Sequence, residues 1–256
     1  MLDFKKELAK AVQHFWQVRG KQKKRQGGGT GRKDAGNRGA VTGGKHADGF
    51  VRLIGAIVKD AALPDVEIHV TEKKQRTLPG FYRPSKEWDL VVLSGSDLVA
   101  AVEVKSQVGS FGNNFNNRVE EALGNATDFW AAYRQGIYKP SQKPWLGYLF
   151  MLEEQPGSIH ATKRINLKPF PVDEAFQERS YATRYELVCE RLVRDRLYDA
   201  ACFFTSNAGT GKRGEYKEPN EELSIRNFAI SLHARATAFA RAGKDIKVLE
   251  GNNEKE

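Results

Sequence analysis

Two apolar runs joined by a short polar turn constrain the fold of this chain more than any other feature. They lie in the segment KEWDLVVLSGSDLVAAVEVKS, residues 86–106. Runs of Val, Leu and Ala on each side of a turn are typical of paired strands that are buried on both faces. Three charged residues, Asp89, Glu103 and Lys105, nevertheless lie at the end of this hairpin far from the turn. A fold that buries these strands must accommodate all three charges in one place.

Strand geometry predicts that the three charges converge. Side chains two residues apart on a strand share a face, so Glu103 and Lys105 point the same way. A turn through residues 95–97 places Asp89 directly opposite Glu103, with Cβ atoms ~5 Å apart. Two carboxylates at that distance raise each other's pKa, and a divalent cation relieves the repulsion. Magnesium suits such a site, because it uses one or two carboxylates together with waters and substrate phosphates.

This arrangement suits the hydrolysis of a phosphodiester. A bound metal polarises a phosphoryl oxygen and lowers the pKa of bound water, and Lys105 can orient that water or neutralise charge that develops on the phosphate. The alternative is structural, since an acid and a lysine two residues apart on a strand commonly form a surface salt bridge that contributes little to stability. The apolar run VAAVEV, which contains Glu103, favours the catalytic interpretation.

The net charge favours a polyanionic partner. The 256 residues include 41 Lys and Arg against 32 Asp and Glu, a formal net charge of +9, and nucleic acid is the usual partner of such a surplus. A basic protein without such a partner is the alternative. No stretch approaches the ~20 apolar residues that span a bilayer, and the N-terminus has no apolar signal core. We therefore expect a soluble cytoplasmic protein in which Cys189 and Cys202 are buried thiols, with a disulfide as the alternative.

Helical and strand periodicities interleave along the chain, which predicts one α/β domain over residues 1–256 with its catalytic core at 47–205. Besides the hairpin, the predicted strands are residues 66–70, 145–153 and 200–205. The predicted helices are residues 2–18, 48–61, 116–133, 181–195 and a last helix, capped by Asn220, at 220–242. The third helix carries a polar stripe that consists of Arg118, Glu121, Asn125 and Asp128.

A basic segment rich in glycine occupies residues 20–46. It contains eight Lys and Arg residues and a single acid, Asp34. We interpret it as a flexible arm whose Lys23, Lys24 and Arg25 contact the phosphates of DNA. A solvated linker is the alternative.

A second candidate for DNA binding directly follows the hairpin. This segment, SQVGSFGNNFNNRVEEALGNA, contains Asn113, Asn114, Asn116, Asn117 and Arg118. Asparagine pairs bidentately with adenine, and arginine with guanine, in the major groove. The alternative is a polar loop before a helix, where asparagine is favoured. We prefer a role at the active site or at the edge of the DNA.

Four stretches of the chain resemble the XhoI family of type II restriction endonucleases. They are GGKHADGF, TLPGFYRPSKEWDLVV, LVAAVEVKSQVGSFGNNFNNRVEEALG and SYATRYELVCERL. Because that family belongs to the PD-(D/E)xK nuclease superfamily, the resemblance implies an α/β restriction-endonuclease-like core with a central mixed β-sheet flanked by helices. It also implies that Asp89 and Glu103 hold Mg²⁺ and that Lys105 assists hydrolysis. Trp88 departs from the superfamily pattern, in which proline is typical before the first acid.

The resemblance further implies a homodimer that cuts double-stranded DNA at a short palindrome, since palindromic sites mirror two-fold protein symmetry. Relatives that retain the Asn-rich segment read CTCGAG and leave a 5′ overhang, and a companion methyltransferase protects host DNA at the same site without stable binding to the enzyme. Asp48 and Glu121 are further candidates, as residues that support the active site. Two alternatives stay open: a sequence-specific DNA-binding protein with a non-catalytic nuclease fold, and a repair nuclease of the same superfamily.

Overall fold

The predicted hairpin lies at the centre of a five-stranded sheet. The computed structural model describes residues 2–26, 47–61 and 65–253. The strands in these residues are β1 (Val66–His69), β2 (Thr77–Pro79), β3 (Ser85–Glu87), β4 (Leu90–Ser94), β5 (Asp97–Gln107), β6 (Trp145–Glu153) and β7 (Ala200–Ser206). The sheet has the order β1-β4-β5-β6-β7, while β2 and β3 form a separate small hairpin. Because β1, β4 and β5 are antiparallel whereas β5, β6 and β7 are parallel, the predicted mixed sheet is confirmed.

Helices flank this sheet on both faces, as predicted. They are α1 (Phe4–Gln26), α2 (Asp48–Asp60), α3 (Phe111–Arg134), α4 (Pro156–Ile159), α5 (Tyr181–Arg194) and α6 (Ile225–Asn253). The crossovers between the parallel strands run through α3 and α5, which pack on one face around a core that includes Phe129 and Tyr185. The opposite face is covered by α1, α2 and α6, around a core that includes Phe50 and Phe228.

A β-bulge sets the register of the central hairpin. Gly95 and Ser96 alone form the turn, rather than the three residues that the sequence predicts. The pairing between the strands then skips Val99, which forms the bulge. Because the bulge adds the residue that the shorter turn omits, Leu90 pairs with Val102, and the register at the charged end is the predicted one.

The first helix is longer than its predicted range. It continues to Gln26 instead of ending at residue 18, since the Lys, Gln and Arg residues of this stretch are good helix formers. The helix therefore includes Lys23, Lys24 and Arg25, which the sequence predicts to lie in a flexible arm. The rest of the predicted arm, residues 27–46, lies outside the described residues.

The third helix begins earlier than predicted, at Phe111 rather than at residue 116. Gly109 and Ser110 have φ values of 67° and 48°, and this left-handed backbone turns the chain sharply into the helix. As a result, the four asparagines of the Asn-rich segment lie in the first two turns of α3 and not in a loop before it.

The last helix begins later than predicted. Asn220 does act as a cap, but it accepts a hydrogen bond from Glu222 N and starts only a short 3₁₀ turn. The long helix begins after Ser224, whose Oγ accepts a hydrogen bond from Asn227 N at 3.3 Å. A second capping residue four positions downstream therefore overrides the predicted start.

Two expectations about the chain's chemical setting can be compared with the structure. Cys189 and Cys202 are free and buried, so the predicted buried thiols are confirmed and the alternative of a disulfide is wrong. In the part of the chain that the structure describes, no helix is both long enough and apolar enough to cross a membrane.

Two glycines give opposite predictions for stability. A Cβ atom at Gly147 in β6 would lie 2.3 Å from the ring of Trp145 and 2.9 Å from Phe228. We expect Gly147→Ala to lower the free energy of unfolding by about 1–3 kcal/mol, because overpacking forces neighbouring side chains to move. Gly124→Ala, on the surface of α3 where a Cβ atom meets nothing within 4 Å, should raise it by about 0.5–1 kcal/mol. Denaturant unfolding measures both, and a stable Gly147→Ala variant would contradict the described packing of α6 on the sheet.

Candidate active site

The charged end of the central hairpin brings Asp89 opposite Glu103, as the spacing predicts. Asp89 N donates a hydrogen bond to Val102 O at 3.2 Å. The Oδ2 atom of Asp89 accepts one from Val104 N at 2.8 Å. These two bonds hold Asp89 to the residues on either side of Glu103, so the position of the first acid depends on the register of the hairpin.

Glu103 is a buried carboxylate between two ammonium groups. Only 1% of the residue is exposed. Its Oε1 atom lies 2.5 Å from Lys105 Nζ, and its Oε2 atom lies 2.8 Å from Lys86 Nζ. A buried charge is tolerated when it is paired and hydrogen-bonded in this way.

The contacts between Glu103 and the two lysines determine the charge states of Glu103 and Lys105. Burial alone would raise the pKa of Glu103, but Lys105 and Lys86 outweigh burial and hold that pKa below its ordinary value. Burial likewise tends to lower the pKa of Lys105, and the contact with Glu103 outweighs it, so the pKa of Lys105 is raised. Glu103 is therefore a carboxylate and Lys105 an ammonium at neutral pH.

Asp89 is the residue of this group whose negative charge is least compensated. Burial, followed by the negative charge of Glu103, raises the pKa of Asp89 from its ordinary value of 3.8 to about 6. The hydrogen bond from Val104 and the charges of the lysines counteract this shift only in part. Near neutral pH the site thus holds a carboxylate whose charge is poorly compensated.

Lys86 is a member of the site that the sequence analysis missed. It lies in β3, and its Nζ atom also donates to Glu87 O at 2.9 Å and lies 4.6 Å from the ring centre of Trp88. A strand of three residues has too little periodicity to be predicted. The available signal was the position of Lys86, two residues before a buried aromatic residue and three before the first acid.

Trp88 lies directly before Asp89 and is held in place by ring packing and by backbone hydrogen bonds. Trp88 is buried and packs edge-on against Phe129 of α3, with ring centres 5.4 Å apart. Its backbone N–H donates to Arg76 O at 2.9 Å, and Arg76 Nη1 donates back to Trp88 O at 2.7 Å. Proline has no N–H to donate, so it could not make the first of these bonds.

Helix α3 completes the site from the other side. Glu121 lies 3.9 Å from Lys105 Nζ and forms an ion pair with Arg118 one turn earlier in the helix. The candidate Glu121 is therefore adjacent to the charged cluster. Of the candidate asparagines, Asn114 donates a hydrogen bond from its side chain to Ser110 O at 2.9 Å, and the other three are exposed.

Two groups of candidate residues belong to helices that pack on the opposite face of the sheet from α3. Asp48 is the first residue of α2, which packs on the opposite face of the sheet from α3. Lys23, Lys24 and Arg25 lie near the end of α1, which packs on that same opposite face. The contacts described above bring together Asp89, the pair of Glu103 and Lys105, and Glu121.

The two carboxylates fit a divalent cation. Among the residues that the structure describes, no group of three or more His, Cys, Asp or Glu side chains is placed to hold a metal ion. Magnesium, however, needs only one or two carboxylates besides water and phosphate oxygens. Burial, and then the charge of Glu103, raise the pKa of Asp89 because its ionised form has a deficit of nearby positive charge. A cation at Asp89 and Glu103 would remove that deficit, while it shared Glu103 with Lys86 and Lys105.

Comparison with known proteins identifies relatives over most of the chain. Residues 21–218, which include the whole charged cluster, match the sequence profile of the family described as Restriction endonuclease XhoI. Curated relatives are the type II restriction enzymes BstVI of Geobacillus stearothermophilus, XhoI of Xanthomonas vasicola and AbrI of Azospirillum brasilense. No solved structure matches the chain.

The similarity to these relatives is substantial. BstVI is 46% identical over 206 residues, which cover 78% of this chain and 91% of BstVI. XhoI is 47% identical over 163 residues, 63% of this chain and 65% of XhoI. AbrI is 43% identical over 159 residues, 62% of this chain and 70% of AbrI.

Asp89 should reduce the stability of the metal-free protein. Its folded pKa of about 6 lies above the ordinary value of 3.8, so the ionised carboxylate costs stability above about pH 6, and that cost disappears as the pH falls toward 4. Asp89→Asn removes the charge and keeps an oxygen for the bond from Val104. At pH 8 in EDTA we expect it to raise the free energy of unfolding by about 1–3 kcal/mol.

Glu72→Gln, an equal change of net charge on an exposed turn, is the control for this comparison and should leave the free energy of unfolding within about 0.5 kcal/mol of the wild type. The gain of Asp89→Asn should also shrink at pH 4.5. If Asp89→Asn were less stable than the wild type at pH 8, the cost of an ionised carboxylate that is buried beside Glu103 would not be the dominant effect.

Proposed function

Because the chain belongs to the XhoI family of restriction endonucleases, we propose that Asp89, Glu103 and Lys105 form a magnesium-dependent site that hydrolyses phosphodiester bonds of double-stranded DNA. Its curated relatives are type II restriction enzymes, and the chain is a site-specific deoxyribonuclease. The observation that carries the proposal is the convergence of two carboxylates and an ammonium group at one end of the central hairpin. We further infer that the sheet around this hairpin is a PD-(D/E)xK nuclease core.

Lys105 serves this reaction as a fixed cation rather than as a base. Its ammonium group keeps its proton because the contact with Glu103, at 2.5 Å, outweighs the effect of burial. A preorganised positive charge stabilises the negative charge that develops on the phosphate in the transition state. Lys86, on the other oxygen of Glu103, is a positioning residue that keeps this carboxylate ionised and oriented.

Asp89 and Glu103 are the residues that would hold the metal. A magnesium ion there would polarise a phosphoryl oxygen and lower the pKa of its bound water. Val104 N fixes the orientation of Asp89, and the two lysines keep Glu103 ionised. The chain thereby presents two negatively charged oxygen donors that are already in place before DNA binds.

We propose that the start of α3 reads part of the target sequence. Asn113, Asn116 and Asn117 are exposed in the first two turns of this helix. Asparagine amides pair bidentately with adenine in the major groove, which admits an α-helix. Asn114 contributes if its bond to Ser110 O opens. The helix continues directly to Glu121 at the active site, so recognition and cleavage share one rigid element.

The target that we propose is CTCGAG, cut to leave a 5′ overhang. The proposal rests on the Asn-rich segment, whose resemblance to the XhoI family implies that specificity. A palindrome with both G·C and A·T pairs needs a donor for guanine and a bidentate partner for adenine. Arg118 can supply the first, but it is paired with Glu121, so a contact to guanine requires exchange of that ion pair.

The same resemblance to restriction endonucleases predicts the biological setting of the chain. We propose a homodimer, because a two-fold symmetric protein matches a palindromic site, and a companion methyltransferase that modifies the same sequence. Cleavage of invading DNA would take place in the cytoplasm. Lys23, Lys24 and Arg25 of α1 are proposed to contact phosphates outside the recognition sequence.

Loss of the charge of Asp89 or of Lys105 should strongly reduce the rate of DNA cleavage. We expect Asp89→Asn and Lys105→Ala each to lower the rate of plasmid cleavage at least about 100-fold, because each removes a group that acts on the transition state. Asp89→Asn should still bind DNA, since the loss of a negative charge does not weaken attraction to a polyanion. Glu120→Gln, on the exposed side of α3, should cut at the wild-type rate. Cleavage near the wild-type rate by Asp89→Asn or Lys105→Ala would remove that residue from the site.

The specificity can be decided by mapping ends. We expect discrete fragments from a plasmid of known sequence in the presence of magnesium, with every cut at CTCGAG and with a 5′ overhang. Sequencing of the fragment ends measures both properties. Fragments cut at another hexamer, with CTCGAG left intact, would contradict the specificity but not the nuclease activity, whereas random degradation would contradict site-specific cleavage itself.

A further inference from the structure

An exposed pair of aromatic side chains lies on the small hairpin that also carries Lys86. The loop between β2 and β3, residues 80–84, presents Phe81 and Tyr82, which are 47% and 71% exposed. Their rings meet edge to face with centres 4.9 Å apart. Of the large apolar side chains that are exposed in the described part of the chain, only these two are neighbours in sequence.

A buried carboxylate holds this loop in one conformation. Asp128 of α3, whose side chain is only 7% exposed, accepts hydrogen bonds on Oδ1 from Phe81 N at 2.9 Å and from Tyr82 N at 2.7 Å. Its Oδ2 atom accepts one from Arg83 Nε at 2.8 Å. A Cβ atom at Gly80 would lie 2.5 Å from this same Oδ2 atom, so the chain must pass close to the carboxylate there.

The same arrangement extends one turn along α3. The side chain of Asn125 is buried and its Oδ1 atom accepts a hydrogen bond from Arg83 Nη2 at 2.9 Å. Burial of an amide and a carboxylate is unfavourable unless a specific set of donors satisfies them. Here those donors all belong to an exposed loop. The buried side chains of Asn125 and Asp128 therefore fix the position of the two exposed rings. Such preorganisation lowers the entropy that is lost when a partner binds.

The position of the loop indicates which partner it meets. Asp128 follows Glu121 by seven residues, about 10 Å along the helix, and Glu121 adjoins Lys105. The major groove of DNA alone is ~12 Å wide. Lys86 of the same hairpin contacts Glu103, so a duplex with one phosphate at the active site would have bases within reach of the loop.

Area favours DNA over a second copy of the chain. Residues 73–86 include five Lys and Arg residues, but Lys73 and Arg76 pair with Glu87, Arg83 with Asp128 and Lys86 with Glu103, so these charges do not decide the partner. Two aromatic side chains bury at most about 500 Å², less than the ~800 Å² per partner of a stable protein interface.

We propose that the loop at residues 80–84 is a DNA-contacting wedge, in which Phe81 and Tyr82 pack against bases beside the scissile phosphate and Asp128 is the positioning residue that holds them there. Apolar side chains that insert at a base step partly unstack it and bend the duplex. Recognition would then include the deformability of the target as well as direct contacts from α3. This inference rests on the proposed nuclease function, which it extends to a second recognition element.

The first test uses the unmodified protein. Hydroxyl-radical oxidation of the full chain is measured by mass spectrometry, with and without a short duplex that carries the mapped cleavage sequence, in calcium so that the DNA stays intact. We expect the duplex to protect Phe81 and Tyr82 several-fold and to leave Ile230 of α6, 49% exposed on the opposite face, unchanged. Unchanged oxidation of both rings in the bound complex would overturn the proposal.

The second test separates the wedge from general attraction to DNA. Phe81→Ala/Tyr82→Ala should weaken binding of the same duplex at least about fivefold, in line with the loss of base–aromatic contacts. The slope of log affinity against log salt should stay that of the wild type, since no phosphate contact is removed. A duplex with 2-aminopurine beside the cut should brighten with the wild type but not with this variant. Ile230→Ala, the matched control, should behave as the wild type in all three measurements.

Asp128→Ala tests the positioning role, because both rings remain. We expect faster amide exchange at Phe81 and Tyr82 and a smaller 2-aminopurine signal, with partial recovery in Asp128→Asn, which keeps one acceptor oxygen. Binding and fluorescence at wild-type levels in Phe81→Ala/Tyr82→Ala would overturn the wedge, while cleavage by the wild type in parallel would leave the nuclease function standing. Ring protection that depends on protein concentration and not on DNA would instead indicate self-association and overturn the proposal, and failure of the wild type to bind any duplex would overturn both.

Discussion

The buried carboxylate of Glu103 is the interaction on which the arrangement of this site depends. Its two oxygens are bound by Lys105 from the same strand and by Lys86 from the β2–β3 hairpin. A hairpin with three residues in each strand is not stable by itself, so its place on the protein depends on such contacts, together with the packing of Trp88. The removal of one partner would leave the others as uncompensated buried charges, which is strongly destabilising.

The two acids on the hairpin have opposite relations to stability. Glu103 is satisfied by cations of the chain itself, whereas Asp89 gains a proton more readily than in the unfolded chain because burial and Glu103 disfavour its charge. Strain of this kind at a functional site is retained when the bound state relieves it. A cation bound there, as proposed above, would supply such relief. Burial, followed by repulsion from Glu103, therefore makes the ionised Asp89 unfavourable in the metal-free protein.

Long periodic elements and the relative position of Asp89 and Glu103 could be predicted from the sequence, because burial on two faces and strand alternation leave a clear pattern. The turn of the hairpin was predicted one residue too long, yet the bulge at Val99 compensated. Lys86 could not be found in this way, since its role depends on a contact across 17 residues with Glu103. The start of α3 was missed because asparagine has a low helix propensity, while tertiary packing of Phe111 outweighs it.

Helix α3 connects these parts through a stripe that the sequence already displays. Arg118, Glu121, Asn125 and Asp128 recur at intervals of three and four residues, so they lie along one face of the helix. A polar stripe of this kind is normally interpreted as a solvated surface. Here Asn125 and Asp128 are buried against the loop with the two exposed rings, and Glu121 meets Lys105. Helix α3 thus contacts the proposed catalytic charges through Glu121 and the aromatic loop through Asp128, and it fixes the position of the loop relative to the site.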